Sequence, residues 1–287
     1  MNRLSRILAV VACTLVLACG DDDEPNDAGT DAPVDTGPTD AGTDTGPEDA
    51  GTDTAEDAGP PPMADFSCVE GLEPPVPSGD TATFNLRLIA FGAVDTGIEG
   101  VSVSLCDPAD ESCGDPQLTD ADGFVSFELD TSEGAVHFFL RATHPDYPDH
   151  VYRTTGAVAE DLDDEFFMVD DDWFRLVLTR YDDPDLEANA FFLGLVFDCE
   201  PEFAPGVTFS MTPDMGTHFY TRGAIAHPDQ TETDTTGILG TLNLPPGDYS
   251  LQVDEDGTPV SALNFPAAAG EAIAIVVVPT PDGAPPF

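Results

Sequence analysis

Residues 118–129 read LTDADGFVSFEL, and their reading decides between a metal loop and a turn that feeds a β-strand. A calcium loop of the EF-hand type has oxygen ligands at its first, third and fifth places, glycine at the sixth and glutamate at the twelfth. With Gly123 at the sixth place, Leu118 falls first and Leu129 twelfth, and both are apolar. Residues 232–244, ETDTTGILGTLNL, repeat the pattern: Thr233, Asp234 and Gly237 match Thr119, Asp120 and Gly123, while Thr236 replaces Asp122. What recurs is turn chemistry, with Thr and Asp bonding to nearby backbone and glycine permitting a positive φ before a strand.

Period-two runs surround both copies. Phe84, Leu86 and Leu88 alternate with Asn85 and Arg87; Val101, Val103 and Leu105 with Ser102 and Ser104; Val125, Phe127 and Leu129 with Ser126 and Glu128. One apolar and one polar face is the mark of half-buried antiparallel strands. Further runs are 136–142, 166–169 and 173–178. A second series follows at AFFLGLVFD (190–198), GVTFSM (206–211), GILGTLNL (237–244), DYSLQV (248–253) and AIAIVVV (272–278). Gly100-Val101 matches Gly206-Val207, which adds to the evidence for an internal duplication. The expected fold is all-β: two tandem small antiparallel β-sandwich domains behind a disordered acidic linker.

The chain begins MNRLSRILAVVACTLVLACG, with Arg3 and Arg6 ahead of an uncharged run from Ile7 to Val16. That is the pattern of a secretory signal, and the run is shorter than the roughly 20 residues a membrane span needs. Val16-Leu17-Ala18-Cys19 resembles a bacterial lipobox, in which Cys19 becomes the lipidated first residue; the alternative is an ordinary signal cut near Ala18. Gly20 rather than Asp follows Cys19, which favours an outer-membrane address on the periplasmic face or the cell surface. Asp-Ala-Gly units at Asp27, Asp40, Asp49 and Asp57 then fill a stretch almost empty of large apolar residues, which cannot offset its ordering entropy. Such a coil reaches on the order of 35 Å. The expected organisation is 1–18 signal, 19–63 lipidated cysteine and tether, 64–184 first sandwich and 185–282 second sandwich.

Formal charge is −48, and the eight basic residues are all arginine. A surface this acidic repels nucleic acid and anionic headgroups, so the membrane is reached through the lipid anchor alone. Of six cysteines, Cys13 leaves with the signal and Cys19 takes the lipid. Cys68, Cys106, Cys113 and Cys199 remain in an oxidising compartment, where an even number implies disulfides. The short loop CDPADESC pairs Cys106 with Cys113 and leaves Cys68 for Cys199, although four cysteines allow three connectivities.

The order strand, Gly-Val-x-Val strand, Thr-Asp-x-x-Gly turn and strand, closed by Leu244-Pro245-Pro246-Gly247-Asp248-Tyr249, resembles tandem carboxypeptidase regulatory-like, or transthyretin-like, domains. That resemblance implies prealbumin-like sandwiches. The first unit departs from it, with Asp130-Thr131-Ser132-Glu133-Gly134 where the Pro-Pro-Gly turn belongs. The whole layout is similar to lipoproteins of myxobacteria and related bacteria. The fold group is often described as carbohydrate-binding-like, which is an analogy of fold.

Little in the chain points to chemistry. No G-x-S-x-G elbow is present. The histidines His137, His144, His150, His218 and His227 are scattered, and THPDYPDH places His144, Asp146, Asp149 and His150 in a Pro-rich loop whose spacing does not set ligands side by side. Acidic clusters such as Asp161, Asp163 and Asp164, expected in loops at strand edges, are the calcium candidates; no other cofactor is implied. Trp173 and Tyr220 are the candidates for stacking on a sugar. The reading is a non-enzymatic cell-envelope lipoprotein whose partner is an envelope protein or polysaccharide, with a carbohydrate-binding surface lipoprotein, calcium-assisted or not, as the alternative. A hydrolase stands third.

Overall fold

The structure is a computed structural model that describes residues 63–91, 96–170, 180, 181, 185, 187–223 and 225–281. The signal, Cys19, nearly all of the tether, and Trp173 lie outside the described residues. Among those described, fifteen strands form three sheets and there is no α-helix.

In the first half the strands are β1 (Thr81–Ala90), β2 (Ser102–Cys106), β3 (Gln117–Leu118), β4 (Phe124–Asp130), β5 (Phe139–His144), β6 (Tyr147–Thr154) and β7 (Leu162–Met168). The second half has β8 (Ala190–Val196), β9 (Val207–Thr212), β10 (Thr217–Arg222), β11 (Ile225–His227), β12 (Ile238–Leu244), β13 (Gly247–Glu255), β14 (Thr258–Ala267) and β15 (Glu271–Val277). The two halves pair alike. β1 lies between antiparallel β4 and parallel β7, as β8 lies between antiparallel β12 and parallel β15. β2, β5 and β6 form a meander, as β9, β13 and β14 do. The β10–β11 hairpin is an addition to the second half.

The duplicated turn explains this correspondence atom by atom. The Thr119 hydroxyl donates to Ile98 O at 2.6 Å and accepts from Val101 N at 2.9 Å; the Thr233 hydroxyl donates to Ala204 O at 2.6 Å and accepts from Val207 N at 2.9 Å. Both threonines are buried. Asp120 and Asp234 accept the amides two residues on, at 3.0 and 2.9 Å, closing an Asx turn. Gly123 and Gly237 follow with φ of +82° and +62°, and a Cβ at either would meet the carbonyl oxygen of Leu88 at 2.4 Å or of Val196 at 2.5 Å. Glycine is therefore required twice, by backbone conformation and by close approach.

The two sandwiches are not separate beads. β15 pairs in parallel with β8 on one side and with β6 on the other, so one nine-stranded sheet, in the order β11-β10-β12-β8-β15-β6-β5-β2-β3, runs through both. The small sheet β4-β1-β7 packs over the first half through Phe84, Leu86, Leu88, Leu140, Ala142 and Tyr152. Sheet β14-β13-β9 packs over the second half through Phe192, Leu239, Leu251, Leu263, Ile273 and Ile275. Alternation along β15 puts Ala274 in the first core and its neighbours Ile273 and Ile275 in the second, so the small sheets cover opposite faces of the shared sheet. β8 is buried at every residue because its other face meets Phe91, Phe167 and Val169. Its sequence AFFLGLV accordingly shows a continuous apolar run rather than alternation.

Ala64 and Phe66, placed by the sequence at the start of the first sandwich, pack into the core that lies under β9, β13 and β14. The Cys68–Cys199 disulfide holds them there, with Cys199 N donating to Asp65 O at 2.9 Å and Asp65 N donating to Asp198 at 3.1 Å. The second disulfide joins Cys106 to Cys113, so both expected pairings are present.

Candidate functional site

The segment Gly156–Asp161 leaves β6 and crosses to β7, bridged to the first sandwich by mutual hydrogen bonds between Val136 and Val158 at 2.8 and 2.9 Å. Beneath it lies a cavity of about 570 Å³ between β6, β7 and the edge of β15. Its walls are Phe84, Phe138, Leu140, Tyr152, Val158, Leu162 and Phe166, with Val276 and Val278 at the seam and Pro75 and Val76 also lining it. Tyr152 stacks on Phe166 with ring centroids 4.8 Å apart, and its hydroxyl donates to Phe167 O at 2.9 Å. Burial pushes the Tyr152 phenol well above its usual range, so the hydroxyl stays a donor.

Carboxyls interrupt this lining at Glu160 and Asp161 on the crossing segment and at Asp164 on β7. On β7 the residues Leu162, Asp164, Phe166 and Met168 share a face, and Asp164 lies beside fully buried Leu86 of β1. Burial is the main cause that raises its pKa to about 7; the Glu165 charge adds to the rise, while the Glu165 amide, donating to Asp164 Oδ1 at 2.8 Å, opposes it. A carboxyl with this affinity for its proton inside a concave apolar site is the kind of group that marks function.

The neighbouring acids behave differently. Asp161 accepts from Thr83 N at 2.7 Å and Asp163 from Asn85 Nδ2 at 2.8 Å. The sequence placed Asp161, Asp163 and Asp164 in a loop as calcium candidates. Asp163 and Asp164 instead belong to β7, whose pleat sends them to opposite faces. Among the described residues no three His, Cys, Asp or Glu side chains are placed to hold one metal ion. The signal available in the sequence was phase: Asp164 is in step with Leu162, Phe166 and Met168.

THPDYPDH is likewise not a loop. β5 ends at His144 and β6 begins at Tyr147, and the run makes a tight β-turn between them. His144 Nδ1 accepts from Asp146 N at 3.3 Å and its ring meets Tyr147. His150 is buried, with Nδ1–H donating to Pro148 O at 2.7 Å and Nε2 accepting from Val169 N at 3.0 Å. Burial drives its pKa down to about 4, against a smaller raising effect of the Pro148 carbonyl. His137 is lowered by burial as well, and His227 lies against Arg180.

His218 links Thr241 Oγ1 at 2.7 Å to Asp214 at 2.9 Å, the wiring of a hydroxyl nucleophile, base and orienting acid. Thr241 is fully buried, however, and its hydroxyl also faces Met211 Sδ at 3.4 Å. No carbonyl substrate reaches it, and the chain serves to anchor β10 to β12.

Tyr220 is no platform for a sugar. It is 9% exposed, packs edge-on against Phe209, and its hydroxyl accepts from Phe209 N at 3.1 Å.

At the seam, on the face away from the cavity, charge is concentrated. Arg153 is 3% exposed, its guanidinium lies 4.0 Å from the Phe139 ring centroid, and Nη2 bonds both Glu111 oxygens at 3.1 Å. Arg141 joins Glu271 of β15 at 2.5 Å and Glu111 at 3.7 Å. Glu111 belongs to the disulfide loop between Cys106 and Cys113, so that staple presents the acid that pairs with the buried arginine.

No protein-family model matches the chain, and no curated protein matches it. Among solved structures, the chain is similar to the Bacillus anthracis TIE protein at 13% identity and a TM-score of 0.25, covering 70% of this chain and 34% of that one. It is also similar to the shaft pilin SpaA of Lactobacillus rhamnosus GG, at 12% identity and a TM-score of 0.23, over 70% and 98% of the two chains. For BcpA, the major pilin subunit of Bacillus cereus, the values are 8% identity and 0.25, over 70% and 99%. The chain thus spans about a third of the Bacillus anthracis protein.

Proposed function

We propose that this protein is a non-enzymatic binding module of the bacterial cell envelope, lipid-anchored through Cys19 and carried away from the outer membrane on its acidic tether. The observation that supports this reading is the nine-stranded sheet that passes through both sandwiches. A shared sheet, closed at the seam by β15 and by the Arg141, Arg153, Glu111 and Glu271 cluster, makes a single stiff head. Stiffness of this kind suits presentation of a preformed binding surface. The lipid anchor and the address rest on the leader and the lipobox pattern, and the spacer role on composition.

The test has two arms. Cells fed labelled fatty acid are expected to label the protein in the membrane fraction, and Cys19→Ala is expected to leave it unlabelled and soluble; label on the variant refutes the anchor. The purified mature chain is expected to be inert on ester, peptide and glycoside substrates and to retain specific envelope components in a pull-down. Turnover of any of these substrates refutes the non-enzymatic reading.

A further inference from the structure

We propose that the cavity under residues 156–161 binds an amphiphilic amine, its apolar body among Phe84, Phe138, Tyr152 and Phe166 and its ammonium group against the Asp164 carboxylate. This names a ligand class for the binding role proposed above and rests on that reading. Volume is the first support: about 570 Å³ lies within the usual range for small-molecule sites of roughly 300–1,000 Å³. Chemistry is the second. The walls are largely aliphatic and aromatic, and Asp164 is the one acid on the core-facing side of β7. Such a pattern, an apolar pocket with few placed polar groups, fixes both the class and the orientation of a ligand.

Charge complementarity selects the sign. Glu160 and Asp161 also line the cavity, and Glu165 adjoins Asp164. Arg153, whose backbone neighbours the site on β6, has its guanidinium committed to Glu111. A carboxylate ligand would meet three acids there, and among the described lining residues the one cation, Arg153, is already paired with Glu111, whereas an ammonium group meets a partner. Aromatic rings beside the carboxylate add cation–π attraction for the same group. An alcohol of equal length fills the apolar space but gains no charge-assisted bond.

The cavity also gives Asp164 a reason to persist. A carboxyl held among apolar side chains costs stability when ionised, and among the described residues no cation acts on its pKa. A bound ammonium ion supplies one. The titratable groups around Asp164 are Tyr152 and Arg153 on β6, Glu160 and Asp161 before β7, Asp163 and Glu165 beside it on β7, Arg87 on β1, which is paired with Glu165, and Asp120. Tyr152 stays neutral and Arg153 is paired with Glu111, so the pH response of amine binding is assigned to Asp164.

Isothermal titration of the mature chain with n-octylamine, n-octanol and octanoate tests the proposal. Octylamine is expected to bind with one site, more tightly than octanol by roughly tenfold or more, while octanoate fails to bind. Asp164→Asn keeps the shape and is expected to lose that tenfold advantage with octanol binding unchanged; Ala157→Trp, which fills the cavity from the crossing segment, is expected to abolish both. Octylamine affinity is expected to rise as pH passes through about 7. Equal octylamine binding by the parent and Asp164→Asn overturns the proposal, as does absence of octylamine binding by the folded parent. Either failure leaves the envelope module standing, because that reading falls only to turnover or to lipid label on Cys19→Ala.

Discussion

Replacing Asp164 by asparagine is expected to make the protein more stable, and increasingly so as pH rises. The folded carboxyl has a pKa of about 7 against the ordinary 3.8, so it binds its proton more tightly when folded. Its contribution is therefore fully present below pH 3.8 and is lost as pH climbs through about 7. At 1.36 kcal/mol per pH decade the whole loss is about 4 kcal/mol. Between about pH 5 and about pH 8 the parent loses about 2.5 kcal/mol of it, while asparagine has no proton to lose. Any cost of the amide itself is the same at both pH values and cancels in the comparison. Guanidinium unfolding of parent and variant, disulfides intact, measures the difference. A stability gap between the two proteins that is equal at both pH values refutes the burial of the Asp164 carboxyl. A gap that shrinks with pH refutes its sign.

His150 works in the opposite sense. Its pKa falls to about 4 from the ordinary 6.5, so stability is expected to decline as pH drops from 6.5 to 4, by about 3 kcal/mol in all, and NMR titration of the folded protein is expected to show the ring neutral at pH 5.5; a ring titrating near 6.5 refutes its burial. Cys68 and Cys199 close a separation of 131 residues and Cys106 and Cys113 one of 7, so serine replacements are expected to cost about 5 and about 2 kcal/mol in denaturant unfolding, and equal costs would contradict the loop-length account. Thr119→Val and Thr233→Val each strand a buried carbonyl and a buried amide, so each is expected to destabilise by about 2–3 kcal/mol, and a neutral result at either site would show that the duplicated turn is held by glycine alone.

Much of the architecture was legible because the duplicated turn is local. Asp120 and Gly123 close an Asx turn within consecutive residues and Asp234 and Gly237 repeat it, whereas the threonine beside each turn reaches backbone 18 to 29 residues earlier, so its residue type repeats but its partners are not written beside it. β1, β2 and β4 showed plain alternation because each has one solvated face. β6 was misread because Pro148 and a cluster of polar residues resemble a loop, whereas its later half, His150 to Arg153, is buried by strands on both sides. β14 escaped notice with Pro259 and Pro266 near its two ends, where each proline costs at most one ladder bond. Partnership between β6 and β15 has no local signature at all, because it is set by packing between segments far apart in the chain. The cavity follows from that partnership, and so only the phase of Asp164 was available to reveal it.

The seam strand also imposes an order on events. β6 is finished early in the chain, yet one of its two hydrogen-bonded neighbours, β15, is the last strand described. Until β15 arrives, the first sandwich presents an open edge with unpaired amides and carbonyls, a template for pairing with another chain. Under the export proposed above, that edge must be kept from its neighbours for the whole passage of the second sandwich. The dense negative charge of the chain, which disfavours approach of one copy to another, is then protection during assembly as well as solubility afterwards.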